Sequence, residues 1–205
     1  HIAAGAILFY LELNENREVN HINKISKIAQ EKYMWLDRFT IQNLELVDEL
    51  HHNGRSLVHI LDHCCTPMGT RLLRKWVLMP LLDKMEIQLR HNVVHFLTER
   101  TAEAQEMTAL LKQIGDLERL ISKSAMGKIQ PREVLQMKRA LHAVAALKDL
   151  LTLAATDEFT KIGSGLNPCQ ALVEEIERTI SDEAPTLIAK GNAIKDKVDT
   201  TLDEY

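Results

Sequence analysis

Residues 61–83 read LDHCCTPMGTRLLRKWVLMPLLD and predict a helical corner. Thr66 is a favoured N-cap residue, and Pro67 suits the first helical position, where a missing N–H has no partner to lose. Apolar residues then recur at helical spacing as far as Trp76 and form one face. Pro80 stops the helix because its ring cannot continue one. The stretch therefore predicts one helix ending, a capped helix beginning, and a proline stop.

The pattern on either side of this corner predicts a mainly α fold with long helices and a small β element near the N-terminus. Pro131 opens an apolar helical pattern that continues to about Leu153 without an interrupting glycine or proline. At 1.5 Å per residue this helix should span ~30 Å. Two short strands are expected between Val19 and Leu36, and the segment from Gly163 to Pro168 is expected to be a loop.

Composition predicts a globular intracellular domain. The 205 residues are 45% hydrophobic and 26% charged, which are globular values. Charges interrupt every apolar run within a few residues, so no membrane contact is expected. The three cysteines make a poor disulfide framework and favour a reducing, cytoplasmic location.

The formal charge of −4 argues against DNA binding by this surface alone, because phosphate neutralisation supplies most non-specific affinity. Two basic clusters are expected to be solvated helix faces. They comprise Arg71, Arg74 and Lys75 in the first, and Lys128, Arg132, Lys138 and Arg139 in the second.

Five short motifs follow one another along the chain. They are MWLD at 34–37 with NLEL at 43–46, GRSL at 54–57, TPMG at 66–69, GDLERL at 115–120 and Pro131-Arg132. In this order they resemble the core domain of MutS, the family of DNA mismatch-repair ATPases. The resemblance covers almost the whole chain.

The resemblance implies a domain division and a role. Residues 1–18 would be the end of a connector and the helix leading into the core. Residues 19–205 would be the core, or lever, domain, stopping where the DNA clamp begins. Its long helices are implied to couple mismatched-DNA binding and the clamp to the ATPase domain, which is allosteric coupling between sites.

The resemblance also singles out residues with structural roles and none that is catalytic. Gly69 would let another element approach closely, and Trp76 would anchor the packing of the corner. Asp116, Glu118 and Arg119 would fix a turn by capping and ion pairing. The full set is Asp37, Asn43, Thr66, Pro67, Gly69, Arg71, Trp76, Pro80, Asp116, Glu118, Arg119 and Pro131.

Cofactors are expected only in a longer protein. None of the eight glycines begins the phosphate-binding pattern G-x-x-x-x-G-K-S/T, and the family's mismatch-reading Phe-x-Glu motif is absent. The chain alone should therefore neither hydrolyse ATP nor recognise a mismatch. The resemblance implies that the full-length, bacterial-type protein uses ATP and magnesium, acts as a homodimer on mismatched double-stranded DNA, and meets a MutL-type repair partner.

A histidine- and cysteine-rich segment leaves two alternatives open. A zinc site could use His51, His52, His59, His63, Cys64 and Cys65, or the pair His91 and His95. His59 and His63 have the i,i+4 spacing that holds zinc on one helix face. A thiol enzyme could instead use Cys64 or Cys65, with the helix start at Thr66 lowering the thiol pKa. Both alternatives describe a helical domain unrelated to repair.

Overall fold

A computed structural model of the chain describes residues 2–14, 24, 29–51, 54–154 and 156–203. This part of the chain is mainly helical, which confirms the predicted fold class. The helices are, in chain order, α1 (Ile2–Leu13), α2 (Arg38–Asn43), α3 (Leu57–Leu61), α4 (Pro67–Leu78), α5 (Lys84–Glu99), α6 (Thr101–Ile114), α7 (Leu117–Ala125), α8 (Pro131–Leu153), α9 (Asp157–Gly165), α10 (Gln170–Thr179) and α11 (Thr200–Asp203).

The small β element expected near the N-terminus is not confirmed. Tyr33 makes a single antiparallel bridge with Leu81, and the neighbouring Met34 N–H donates to the Pro80 carbonyl at 2.8 Å. No longer ladder occurs in the described part of the chain. Residues 19–23 and 25–28 of the predicted strand region lie outside the described residues.

Helix α8 lies at the centre of the fold because its apolar residues point to several neighbours. One part of α8 packs with α6 and α9 in a core that includes Met107, Ile114, Ala140, Ala143, Val144, Leu147, Leu151 and Phe159. Another part packs with α7 and α10 through Leu120, Met137, Leu141 and Val173. This 23-residue helix is about 34 Å long at the standard rise, so it connects regions that are far apart.

Helix α9 occupies part of the segment predicted to be a loop, and that prediction is wrong for residues 163–165. Gly163 lies where α9 crosses α8, and a Cβ placed there would be 3.3 Å from the Leu151 Cβ. Phe159 of α9 is 2% exposed, and its ring centroid is 4.8 Å from that of Phe96. Gly163 therefore permits close helix packing, whereas its sequence context suggested a turn.

Helix α10 begins at Gln170, and Cys169 precedes it with a left-handed backbone at φ 49°. The Cys169 N–H donates to the Asn167 side chain at 2.9 Å, which fixes this turn. At the other end of the chain, none of the residues of α1 is buried. Across the part of the chain that the structure describes, no helix has both the length and the apolar content to cross a membrane.

Candidate functional site

The start of α4 is fixed by contacts within residues 62–70. The Gly69 N–H donates to the Thr66 hydroxyl oxygen at 3.0 Å, and Pro67 occupies the first helical turn. A Cβ on Gly69 would be 3.2 Å from the Cys64 Cβ, so the glycine allows the preceding loop to lie against the helix. Asp62 Oδ1 accepts from the Cys64 N–H at 3.1 Å and from the hydroxyl of the Thr70 side chain at 3.2 Å. The corner is therefore closed by local hydrogen bonds.

Arg71 of α4 contacts two carboxylates that lie far away in the sequence. Its Nη2 and Nη1 donate to Oδ1 and Oδ2 of Asp116, 45 residues away, at 2.7 and 3.1 Å. Its Nε and Nη2 donate to Glu118 Oε2, 47 residues away, at 2.9 and 2.5 Å. Such bidentate, charge-assisted contacts fix orientation as well as distance, because the guanidinium is planar and rigid. We call Arg71, Asp116 and Glu118 the junction.

The junction is partly exposed, and its charges stabilise one another. The side chains of Arg71, Asp116 and Glu118 are 49%, 22% and 66% exposed. The hydrogen bonds from Arg71, aided by the backbone N–H of Arg119, lower the pKa of Asp116 below its ordinary value. The same carboxylates, with Asp116 the stronger influence, raise the pKa of Arg71. Both partners therefore stay ionised at neutral pH.

The junction connects α4 to the turn between α6 and α7. Gly115 forms this turn at φ 65°, a backbone conformation that glycine adopts without strain. Asp116 is the N-cap of α7 and accepts from the Arg119 N–H at 3.3 Å. Helix α7 in turn packs on α8 through the buried Leu120. A continuous set of contacts therefore leads from the corner to the central helix.

A second charged contact fixes the start of α8, and sequence reasoning missed its residues. Lys123 of α7 donates to Glu133, whose other carboxylate oxygen accepts from the Gln130 N–H at 3.0 Å. These bonds, led by the one from Lys123, lower the pKa of Glu133. Pro131, which lies between Gln130 and Glu133 in the sequence, is the first residue of α8. A glutamate two positions after a helix-starting proline is the local signal that indicates this capping arrangement.

The remaining predicted residues lie at other helix ends and faces. Asp37 caps α2 by accepting from the Thr40 N–H at 2.9 Å, and Asn43 is the last residue of that helix. Trp76 is 42% exposed and stacks against Arg90, whose Cζ is 3.6 Å from the ring centroid. The structure thus brings Arg71, Asp116, Glu118 and Arg119 together, and it corrects the interpretation of Arg71 as part of a purely solvated face.

In the residues that the structure describes, the histidine–cysteine segment does not support either alternative site. Helix α3 ends at Leu61, so His59 and His63 do not share the helix face that the i,i+4 argument assumed. Partial burial, followed by the hydrogen bond to Asp62, raises the pKa of Cys64, whereas a nucleophilic thiol needs a lowered one. Among the described residues no group of three or more His, Cys, Asp or Glu side chains is placed to hold a metal ion. His52 lies outside the described residues.

The fold and the junction define a class, a helical domain in which ion pairs connect a corner helix to a short helix, and that short helix to a long central one. Residues 39–204 match the family model of MutS domain III. The chain is 43% identical over 203 residues to a DNA mismatch repair protein MutS of Bacteroides fragilis, covering 99% of this chain and 24% of that protein. It is also 40% identical over 202 residues to a DNA mismatch repair protein MutS of Porphyromonas gingivalis, and that match covers 98% of this chain and 23% of that protein.

This chain belongs to the MutS domain III family. It spans about a quarter of the length of the curated relatives it matches. The resemblance found from the five short motifs is therefore confirmed, and nothing in the described part of the fold favours the metal-binding or thiol-enzyme alternative.

Proposed function

We propose that this domain couples mismatched-DNA binding and the DNA clamp to the ATPase domain of a longer mismatch-repair protein. The observation that supports the proposal is the junction, in which four hydrogen bonds from Arg71 reach two carboxylates 45 and 47 residues away. A contact of this kind makes two separate chain segments move together. Coupling between sites needs such an element, since both ligands must bias the same structural state.

The proposed route of coupling runs from α4 through the junction to α7 and then to α8. Rotation of α4 would displace Asp116, which is both the acceptor for Arg71 and the N-cap of α7. Helix α8 would carry that displacement over its length, because every turn of an α-helix is braced by i→i−4 hydrogen bonds. Lys123 and Glu133 would keep α7 and the start of α8 aligned during the movement.

The longer protein would supply the chemistry. We propose that it uses ATP and magnesium, acts as a cytoplasmic homodimer on mismatched double-stranded DNA and recruits a MutL-type partner, while this segment itself catalyses no reaction. Support comes from the relatives, which are DNA mismatch repair proteins. Residues 1–18 would lead into the core, and residues 19–205 would be the core up to the clamp.

The test uses Arg71→Ala and Arg71→Lys in the full-length protein. We expect both variants to bind mismatched DNA normally, because the Arg71 guanidinium is occupied by Asp116 and Glu118 and so is not needed for a contact with DNA. ATP-driven release from the mismatch should be slowed in Arg71→Ala and partly restored in Arg71→Lys. A lysine keeps the charge but cannot form the bidentate pair.

Arg74→Ala is the matched control, since Arg74 lies on the same helix and makes one looser ion pair, 3.6 Å from the exposed Asp48. It should leave ATP-driven release unchanged. Unimpaired release in a folded Arg71→Ala protein would contradict the proposed coupling. Equal slowing in the Arg74 control would show that charge loss on α4, and not the junction, matters.

A further inference from the structure

A groove lies between the C-terminal turn of α6 and the first half of α8. It is lined by Gln113, Arg132, Gln136, Arg139 and His142. Gln136 also lies beside the α6–α7 turn, because its Nε2 is 3.5 Å from the position of a Cβ on Gly115. The groove is therefore bounded by two helices and a turn whose conformation is fixed.

The two arginines of this groove differ from the neighbouring cations. Lys138 is paired with Asp182 at 3.2 Å, and Lys123 is paired with Glu133. Among the described residues, Arg139 donates only to the Leu135 carbonyl of its own helix, at 3.4 Å. In the part of the chain that the structure describes, neither Arg132 nor Arg139 has a carboxylate within ion-pair distance. The groove thus holds two cations with unused hydrogen-bonding capacity.

The chemistry of the groove favours carboxylates on a helix over a nucleic-acid backbone. Arg132 and Arg139 are two helical turns apart, or ~10 Å at 1.5 Å per residue, which matches acidic residues two turns apart on a helix lying alongside. Gln113 and Gln136 each offer an amide donor and an amide acceptor, and a phosphate backbone would leave the acceptors unused.

We propose that this groove receives an acidic helix of the same polypeptide from outside residues 1–205, with carboxylates that pair with Arg132 and Arg139. The relatives are about four times as long as the stretch they share with this chain, so the family provides the additional chain required. The inference rests on the proposed function in one respect, because it assumes that this domain is part of a longer polypeptide. It concerns a different surface from the junction.

Photo-crosslinking in the full-length protein identifies the occupant. A photoreactive phenylalanine analogue replaces Gln136, and the crosslinked peptides are identified by mass spectrometry. The expected adduct is a peptide of the same polypeptide that carries two Asp or Glu residues seven positions apart, which is two helical turns. Adducts to mismatched DNA or to another protein would overturn the proposal. So would a yield no higher than that from the same analogue at the exposed Lys112 on α6.

Charge reversal then tests whether the contact is ionic. Arg139→Glu should lower the crosslink yield at least tenfold, while Lys112→Glu should leave it unchanged. Replacing the acidic residue of the crosslinked peptide by lysine should restore the yield in the Arg139→Glu protein. A crosslink that is insensitive to both changes would contradict the ionic pairing. The readout is the mass of the adduct and not ATP-driven release. The groove proposal can therefore fail while the coupling proposal holds, and the coupling proposal can fail while the groove proposal holds.

Discussion

Two glycines of α9 provide a direct test of how this helix packs. Gly163 and Gly165 lie two positions apart on the same short helix, yet their surroundings differ. A methyl group on Gly163 would be 3.3 Å from the Leu151 Cβ and 3.5 Å from the Lys148 carbonyl oxygen. A methyl group on Gly165 would have nothing within 4 Å. Replacing each glycine by alanine therefore compares the same change in crowded and open space.

The expected free energies follow from these distances. Alanine in place of a helical glycine stabilises by roughly 0.5–1 kcal/mol, through the smaller entropy of the unfolded chain. At Gly165 that gain should appear in full or be reduced by fraying at the helix end. At Gly163 the contact joins two Cβ atoms fixed by their backbones, so α8 and α9 must separate slightly, and overpacking typically costs about 1–3 kcal/mol. We expect the two variants to differ by about 1–3 kcal/mol.

Thermal unfolding followed by circular dichroism measures this difference. For a chain of this size 1 kcal/mol corresponds to roughly 2–4 °C in Tm. Gly165→Ala should melt at or slightly above the parent temperature, and Gly163→Ala should melt several degrees below Gly165→Ala. If both variants were stabilised equally, α9 would not cross α8 at Gly163, and the account of this segment would be refuted.

Three further measurements test the site. Thr66→Ala should lower the free energy of unfolding by ~1 kcal/mol because the Gly69 N–H loses its cap, while Thr66→Ser should retain stability in the same urea titration. The lowered pKa of Asp116 means that its stabilisation is present above the ordinary value of 3.8 and is lost as the pH falls through the lower, folded value. The stability advantage of the parent over Arg71→Ala, from urea titrations at pH 7 to 2.5, should therefore shrink below about pH 4; a constant advantage would contradict the ion pair. The pH profile of Cys64 alkylation should have its midpoint above the ordinary 9.0, and a midpoint below that value would favour the thiol-enzyme alternative again.

The corner and the long helix were predictable because their signals are local. Thr66, Pro67 and Pro80 act on hydrogen bonds within a few residues, so the bounds of α4 follow from the sequence. The same reasoning gave α8 its start at Pro131 and its end at Leu153. The family resemblance also led us to expect that Asp116 and Glu118 take part in ion pairing. It did not identify their partner, which is Arg71.

The misassigned segment shows where local signals mislead. Gly163 has a low intrinsic helix propensity and followed a pattern typical of a loop. Its value to the fold is the absence of a side chain where α9 meets Leu151, and this can be seen only when both helices are in place. The same limit applies to Lys123 and Glu133, since their pairing depends on the angle between α7 and α8.

The sequence by itself determined the helical class, the capped corner at Thr66 and the family, because helix periodicity, caps and motifs are properties of neighbouring residues. Only the tertiary structure decided that Arg71 meets Asp116, 45 residues away, and that Arg132 and Arg139 lack a described carboxylate partner. The physical reason is that charges pair according to distance in space, and the packing of the helices in two core clusters along α8 sets those distances.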